Sequence, residues 1–375
     1  MRLLELHIRQ FRNLERISIE PPEGPVLFWG DNAQGKTNLL EAIYYLSAGR
    51  SFRTRNEREC LAWDAPPDDP AVVRGTLERE GVPRELRVVL SQGEKRLFAL
   101  GKPLARLAEL YGQLNAVLFT PGDLELAQGG PAARRRFLDS ELSQVSRPYL
   151  CALQRYAQAL RQRNALLRSG RPLSDMAPDM AAYEALMAES GAEILAARRL
   201  ALAELGERAA QAYARFGAGE SLELRYKPFA RGDSPAEQGM SDAEWFRGRL
   251  EASQAEDARL GQTRIGPHRD DFSILLDGKS AHDFASQGQQ RSCALALRLA
   301  EAEWMADRTG ERPILLLDDL ASELDAGRRE RLIEALRDAG QVFMTTTRPG
   351  DFGAGFGFAA SWRVRRGELS MEREQ

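Results

Sequence analysis

Cysteine and histidine are scarce in this chain, three of each among 375 residues. Cys60, Cys151 and Cys293, like His7, His268 and His282, are scattered, which excludes both a disulfide framework and metal-ligand spacing. A reducing cytoplasm is the expected setting. Long apolar runs are missing as well: none approaches the roughly 20 residues of a membrane helix. The N-terminus, Met-Arg-Leu-Leu-Glu-Leu-His-Ile-Arg, reaches a charge too soon for a signal peptide, so export is not expected. An excess of one charge is also absent. The net charge is −3, and a nucleic-acid surface would therefore have to be a local basic patch. What is present, 43% hydrophobic and 29% charged residues, suits a soluble globular protein of two domains, or of one domain with a large insertion.

The most informative stretch is Val26-Leu-Phe-Trp-Gly-Asp-Asn-Ala-Gln-Gly-Lys-Thr-Asn-Leu-Leu-Glu41. Residues 26–29 read as a buried strand. A helix starts near Lys36 and carries Leu39, Leu40, Ile43 and Leu46 inward. Between them lies G-x-x-x-x-G-K-[ST], a phosphate-binding loop in its required strand–loop–helix setting. Gly30 and Gly35 let the backbone turn so that the N–H groups of Asp31, Asn32, Ala33 and Gln34 and the helix start converge on a polyphosphate. Lys36 supplies a point charge to the β- and γ-phosphates, and the Thr37 hydroxyl takes a place in a Mg²⁺ shell. ATP with Mg²⁺ is the expected ligand.

Before this loop, residues 3–8 alternate as a half-buried strand and residues 17–19 can pair with them. After the first helix comes a basic loop, Gly49-Arg-Ser-Phe-Arg-Thr-Arg, then a turn cluster at 64–70. Strand-like segments at 71–77, 84–90 and 96–100 predict an antiparallel sheet, and 116–119 one more apolar strand. From Leu124 to about Phe216 the sequence turns to Ala, Leu, Arg and Glu at helical spacing. Gly170, Pro172 and Pro178 divide two apolar stripes. A short antiparallel helical arm is predicted, the 35 residues of 182–216 giving at most about 50 Å.

Residues 134–171 hold nine arginines (134, 135, 136, 147, 155, 161, 163, 168 and 171) against Asp139 and Glu141, a local balance of 9 − 2 = +7. Arginine forks suit phosphates. Arg155, Arg161, Arg163 and Arg168 are thus the expected DNA contacts, to the backbone rather than to bases, since no aromatic platform accompanies them. The alternative is a solvated helix face paired with acidic residues of the neighbouring helix.

A polar stretch at 230–257 precedes a strand at 272–276. Ser286 and Gly288 then sit where a helix begins and offer a hydroxyl and N–H groups to an anion. Ile314-Leu-Leu-Leu-Asp-Asp ends a buried strand in two carboxylates: Asp318 is placed to hold Mg²⁺, and Asp319 to orient or deprotonate the attacking water. Further strands are expected at 341–345 and in a terminal hairpin around Gly367.

The order of these motifs resembles the ATP-binding-cassette superfamily: phosphate loop, signature (Ser286-Gln-Gly-Gln-Gln290), Mg²⁺ strand and D-loop (Ser322-Glu-Leu-Asp325). Six strings spread over nearly the whole chain are similar to the RecF family of bacterial recombination mediators. They are Phe11-Arg-Asn-Leu, Gly30 to Glu41, Ser51-Phe-Arg-Thr, Arg134-Arg-Arg-Phe-Leu-Asp, Gly266-Pro-His-Arg-Asp-Asp and Ser286-Gln-Gly-Gln-Gln-Arg. The resemblance implies an α/β ATPase head, related to SMC heads, with a phosphate-loop sheet and an antiparallel β-subdomain. Residues 1–122 and 292–375 would form the ATPase lobe, and 123–291 an inserted helical lobe with the arm. It implies ATP-dependent binding to gapped, single- or double-stranded DNA, work with RecR and RecO in loading RecA, and roles in replication restart and the SOS response. Nucleotide-driven homodimerisation is implied too. Ser286 and Gly288, with Gln290 of the same string, would close on the nucleotide of a second copy, with Asp325 at the seam. Arg12 and Asn13 would lie near the nucleotide. The strand that in transporter cassettes ends in a switch histidine reads Thr345-Thr-Thr here, and Asp319 stands where they carry glutamate. Both imply a slow, DNA-stimulated ATPase in which ATP is a switch. Gln128 is one possibility for the Q-loop glutamine. The alternatives are the ATPase subunit of a transporter and a non-hydrolysing structural DNA clamp. A P-loop kinase or GTPase would not need the 286–290 helix start.

Overall fold

The structure is a computed structural model, and it describes residues 1–66, 69–91, 94–216, 219–229, 240–337, 339–353 and 356–371. The chain divides into two units. One comprises Met1–Leu124, Gln211–Ala218 and Ala294–Gln375, and the other Glu125–Ala210 and Gly219–Cys293.

Two six-stranded sheets make the first unit. In one, the strands run in the order Glu368–Met371, Ala360–Arg365, Pro25–Trp29, Val342–Thr346, Ile314–Leu317 and Ala116–Phe119. All pairs are parallel except the terminal hairpin. Its central strands are continuous apolar runs because both faces are covered: every residue of Ile314–Leu317 and of Val342–Thr346 is buried. The other sheet is antiparallel, in the order Leu14–Ile19, Arg2–Phe11, Ala71–Arg79, Val82–Leu90, Lys95–Ala99 and Lys102–Pro103. Here Ala71–Arg79 alternates, with Ala71, Val73, Gly75 and Leu77 inside, as a sheet with one wet face must.

The helix Lys36–Ala48 joins the two sheets. Its buried Leu39, Leu40, Ile43 and Leu46 share one core with Leu3, Leu6 and Val73 of the antiparallel sheet and with Phe28, Leu316 and Phe343 of the parallel one. Gly49 ends it in the left-handed conformation, its N–H donating to the Tyr45 carbonyl at 2.8 Å.

The second unit is mainly helical: Pro131–Val145, Arg147–Leu167, Leu173–Phe216 up to residue 210, and Asp242–Leu260. A three-stranded antiparallel sheet, Lys279–Ser280, Asp271–Leu276 and Leu222–Lys227, accompanies them. The predicted arm is present, and its ion pairs show the antiparallel sense, since Arg155 meets Glu193 whereas Arg163 meets Glu184. Pro178, expected to break the arm, lies inside its second helix. That helix runs 44 residues, about 65 Å rather than about 50 Å. Near the helix start proline removes one backbone bond, and burial of Met180, Met187, Ile194, Leu195 and Leu205 outweighs that loss.

The polar stretch 230–257 turns out to be largely helical where it is described. Residues 230–239 lie outside the described residues, but the helix Asp242–Leu260 occupies the rest. A capping box starts it, the Ser241 hydroxyl accepting from the Glu244 N–H and the Glu244 carboxylate accepting from the Ser241 N–H.

Candidate nucleotide site

The phosphate loop leaves the carboxyl end of Pro25–Trp29, a strand flanked by Val342–Thr346 and Ala360–Arg365. Ligands gather at that end of an open parallel sheet. Backbone requirements fix its glycines. Gly30 (φ +150°) has no room for a side chain, since a Cβ there would lie 2.4 Å from the Val364 carbonyl oxygen. At Gly35 (φ +113°) a Cβ would lie 2.7 Å from the Asn13 side chain. Ala33 also takes a left-handed conformation, φ 63°. The loop is therefore a preformed cradle.

Lys36 is buried, with its ammonium donating to the carbonyls of Gly30 (2.6 Å) and Asp31 (2.9 Å). Burial pulls its pKa below the ordinary lysine value, against the opposing charges of Asp319 and Asp318. Thr37 donates its hydroxyl to Asp318 Oδ1 at 2.8 Å. The Thr345 hydroxyl reaches the same oxygen at 2.9 Å, and accepts the Asp319 N–H at 2.8 Å. Burial raises the Asp318 carboxyl above the usual range, the two hydroxyls opposing it. Asp319 sits in the left-handed region (φ 46°), with its carboxylate Oδ1 buried and unpartnered among the described residues. A buried acceptor beside a lysine and a hydroxyl-bound carboxylate fits a phosphate ligand with its metal ion and attacking water.

Behind this set lies a polar buttress that sequence reading placed only in part. Asn13 donates to the Gln34 carbonyl (3.0 Å) and accepts from Asn38 (2.7 Å). Arg12 grips Glu41 with two bonds of 3.0 and 2.7 Å and donates to the Glu59 carbonyl at 2.6 Å. Burial would lower the Arg12 pKa, but the Glu41 bonds and charge outweigh it and raise it. Glu41 is fully buried and also receives the Ser51 hydroxyl and Arg53. Arg12 is thus spent on Glu41 in this structure, and Asn13 is the residue that touches the loop. From the far end of the chain, the N–H groups of Arg366 and Gly367 donate to the side chain and carbonyl of Gln34 at 2.8 and 2.9 Å. No local signal marks that hairpin as part of the loop's support, because it lies more than 300 residues away.

Other expected residues belong elsewhere. Asp325 caps Ala326–Leu336, accepting the Arg328 N–H at 2.9 Å and pairing with the Arg328 side chain. Ser286, Gly288 and Gln290 lie in the second unit, at the start of Gln287–Thr309. The Ser286 hydroxyl accepts the Gln289 N–H at 3.3 Å, and the Gln289 side chain returns the bond to the Ser286 N–H at 2.8 Å. Gln290 was expected on the nucleotide, but its side chain is buried, donating to the Ala281 carbonyl at 3.0 Å and accepting from Gln128. It shapes its own motif instead.

The arginine-rich face also needs correction. Arg163 is fully buried, gripping Glu184 at 2.9 and 3.0 Å and Asp257 at 2.8 Å, and so cannot face DNA. Arg134 forks onto Asp271 at 2.7 and 3.0 Å, and Arg135 donates to the Asp270 carbonyl at 2.6 Å. A net charge counted along sequence includes such internal pairs. Arg155 is exposed but bonded to Glu193 at 2.7 Å, as the solvated-face alternative had it. Arg161 and Arg168 remain on the surface.

Comparisons with known proteins identify the family. Residues 2–355 match the family model described as the RecF/RecN/SMC N terminal domain. The chain is 41% identical over 340 residues to the DNA replication and repair protein RecF of Lactobacillus delbrueckii subsp. bulgaricus, covering 90% of this chain and 88% of that one. To RecF of Geobacter sulfurreducens it is 37% identical, covering 99% and 100%. Among solved structures, the recombination mediator protein RecF with ATP in the RecFOR pathway superposes with TM-score 0.89 at 32% identity, covering 99% of this chain and 98% of that one. An Smc head domain from Pyrococcus furiosus bound to the C-terminal domain of ScpA shares the fold, at TM-score 0.55 and 15% identity over 99% and 96% of the two chains. Given a matching family model and relatives aligned along nearly their whole length, this chain belongs to the RecF family of DNA replication and repair proteins.

Proposed function

We propose that this protein binds ATP with Mg²⁺ in the 30–37 loop and uses it to bring two copies together on DNA. The observation that carries the nucleotide part of this reading is the convergence of the Thr37 and Thr345 hydroxyls on one oxygen of Asp318, with Asp319 held beside them; the assembly on DNA rests on membership of the RecF family. Thr37 and Asp318 would hold Mg²⁺, which neutralises charge between the β- and γ-phosphates when bound. The Lys36 ammonium exchanges its two loop carbonyls for phosphate oxygens, and the unpartnered oxygen of Asp319 orients the water. Asp319 and Lys36 are the catalytic residues of a slow, DNA-stimulated ATPase that works as a switch. Asn13 fixes the loop from outside.

Ser286 and Gly288 present a 23-residue helix start to the γ-phosphate of the partner copy, with Asp325 near the seam. Closed in this way, the protein acts as a cytoplasmic recombination mediator in gap repair, replication restart and the SOS response, with RecR and RecO as partners in loading RecA. The ATPase lobe (1–122 and 292–375) carries the switch. The helical lobe (123–291) carries the arm, where Arg161 and Arg168 are the exposed cations left for DNA backbone. The transporter reading is set aside because the arginine-rich arm occupies the region that would couple to membrane domains.

Titration with a fluorescent ATP analogue tests the core of this. Lys36→Met should abolish binding, and Asp319→Asn should retain binding while losing turnover. Unchanged affinity in Lys36→Met would overturn the site. Full turnover in Asp319→Asn would remove Asp319 from catalysis.

A further inference from the structure

The basic segment after the first helix leads to a surface feature with no part in the nucleotide site. Trp63 is 95% exposed and has no ring or hydrogen-bond partner among the described residues. The backbone leading to it is anchored. The Arg12 N–H donates to the Cys60 carbonyl (2.9 Å), Phe11 bridges Leu61, and the Ala62 N–H donates to the Gln10 carbonyl (3.0 Å), so the residues before it extend the antiparallel sheet. Beside the ring is a cleft of about 330 Å³ whose apolar wall is Leu61, Ala65 and Pro66, with Arg58 and Ser91 on its polar side. That size is at the low end for small-molecule sites, enough for one nucleotide. Its carboxylate, Asp69, is neutralised by Arg9 at 3.0 Å. The side chains of Arg58, Arg55 and Arg16 are exposed and make no ion pair among the described residues.

We propose that this cleft holds one unstacked base of single-stranded DNA, with the Trp63 ring stacked on the base and Arg58 on the adjoining phosphate. The inference rests on the DNA reading above and adds a contact on the ATPase lobe, separate from the arm. An exposed aromatic face can stack any base, whereas duplex bases are already stacked on each other. Arg58, on the cleft wall and without an ion-pair partner among the described residues, supplies the phosphate charge.

The test uses the full chain with ATP and Mg²⁺, a labelled oligothymidine, and a duplex of equal length. Trp63→Ala should weaken the single strand about tenfold and leave the duplex unchanged, while Trp63→Phe keeps most of the affinity. Oligothymidine should quench part of the intrinsic fluorescence, and that part should vanish in Trp63→Phe. Arg58→Gln should flatten the salt dependence by about 0.7 in log–log slope. Unchanged single-strand affinity in Trp63→Ala, or equal losses on both DNAs, would overturn the proposal. So would lost binding of a protein partner with DNA affinity intact, which would make Trp63 a protein contact. If the unaltered chain binds neither DNA, the wider DNA reading fails, and this one with it.

Discussion

Thr345 shows how much one side chain carries. Its hydroxyl spans Asp318 and the Asp319 N–H from a fully buried position, so Thr345→Val leaves a buried donor and a buried carboxylate each short of a bond. We expect a loss of about 1–3 kcal/mol in denaturant unfolding. Turnover should fall more than ATP affinity, because Asp319 loses its support. Arg163 gives the opposite case. Arg163→Ala strands Glu184 and Asp257 inside the second unit and should cost about 3–5 kcal/mol, while DNA affinity per folded molecule stays the same. A matching loss of DNA affinity with stability intact would contradict its burial. His268 supplies a pH signature. It bonds to Tyr156 and the Thr263 carbonyl, and burial holds its pKa near 4 rather than 6.5. The unfolded chain therefore binds this proton more readily than the folded one. Stability from this group is intact above pH 6.5 and drains as pH falls toward 4, by about 3 kcal/mol. Unfolding midpoints measured across that window should fall more steeply for the parent than for His268→Gln.

Among the elements, the strand–loop–helix at 25–48 was legible because periodicity, glycine spacing and caps all act within a few residues. The parallel strands were equally plain, since strands buried on both faces are runs of apolar residues. Two signals misled. Pro178 reads in the sequence as a helix break, but the burial behind it decides the outcome. The Ser241–Glu244 capping box was overlooked within a polar stretch. The string Gly266-Pro-His-Arg-Asp-Asp marks a family, but what it builds is polar core: Asp270 accepts from Arg198, Tyr226 and the Phe229 N–H. Long-range support could not be read at all. The terminal hairpin reaches Gln34 through two backbone N–H groups, and Gly367 is required because a Cβ would lie 2.0 Å from the Asn13 carbonyl oxygen. Gly367→Ala should therefore displace the hairpin and weaken ATP binding in titrations, with the loop sequence untouched. Unaltered ATP affinity would show that the loop stands without it.

At the scale of the whole molecule, the proposed site is shared: the loop is one half, and a second copy would supply the other. No single segment carries this: Ser286 caps its own helix, and it is the resemblance that assigns that helix start to a partner's phosphate. Molecular mass by light scattering, with ATP and Mg²⁺, with ADP, and without nucleotide, addresses it most directly. Mass should double from 41.8 kDa only with ATP, and only when both Lys36 and Ser286 are intact. Ser286→Arg should bind ATP and stay at the single mass. A Ser286→Arg protein that still doubles with ATP would contradict the shared site.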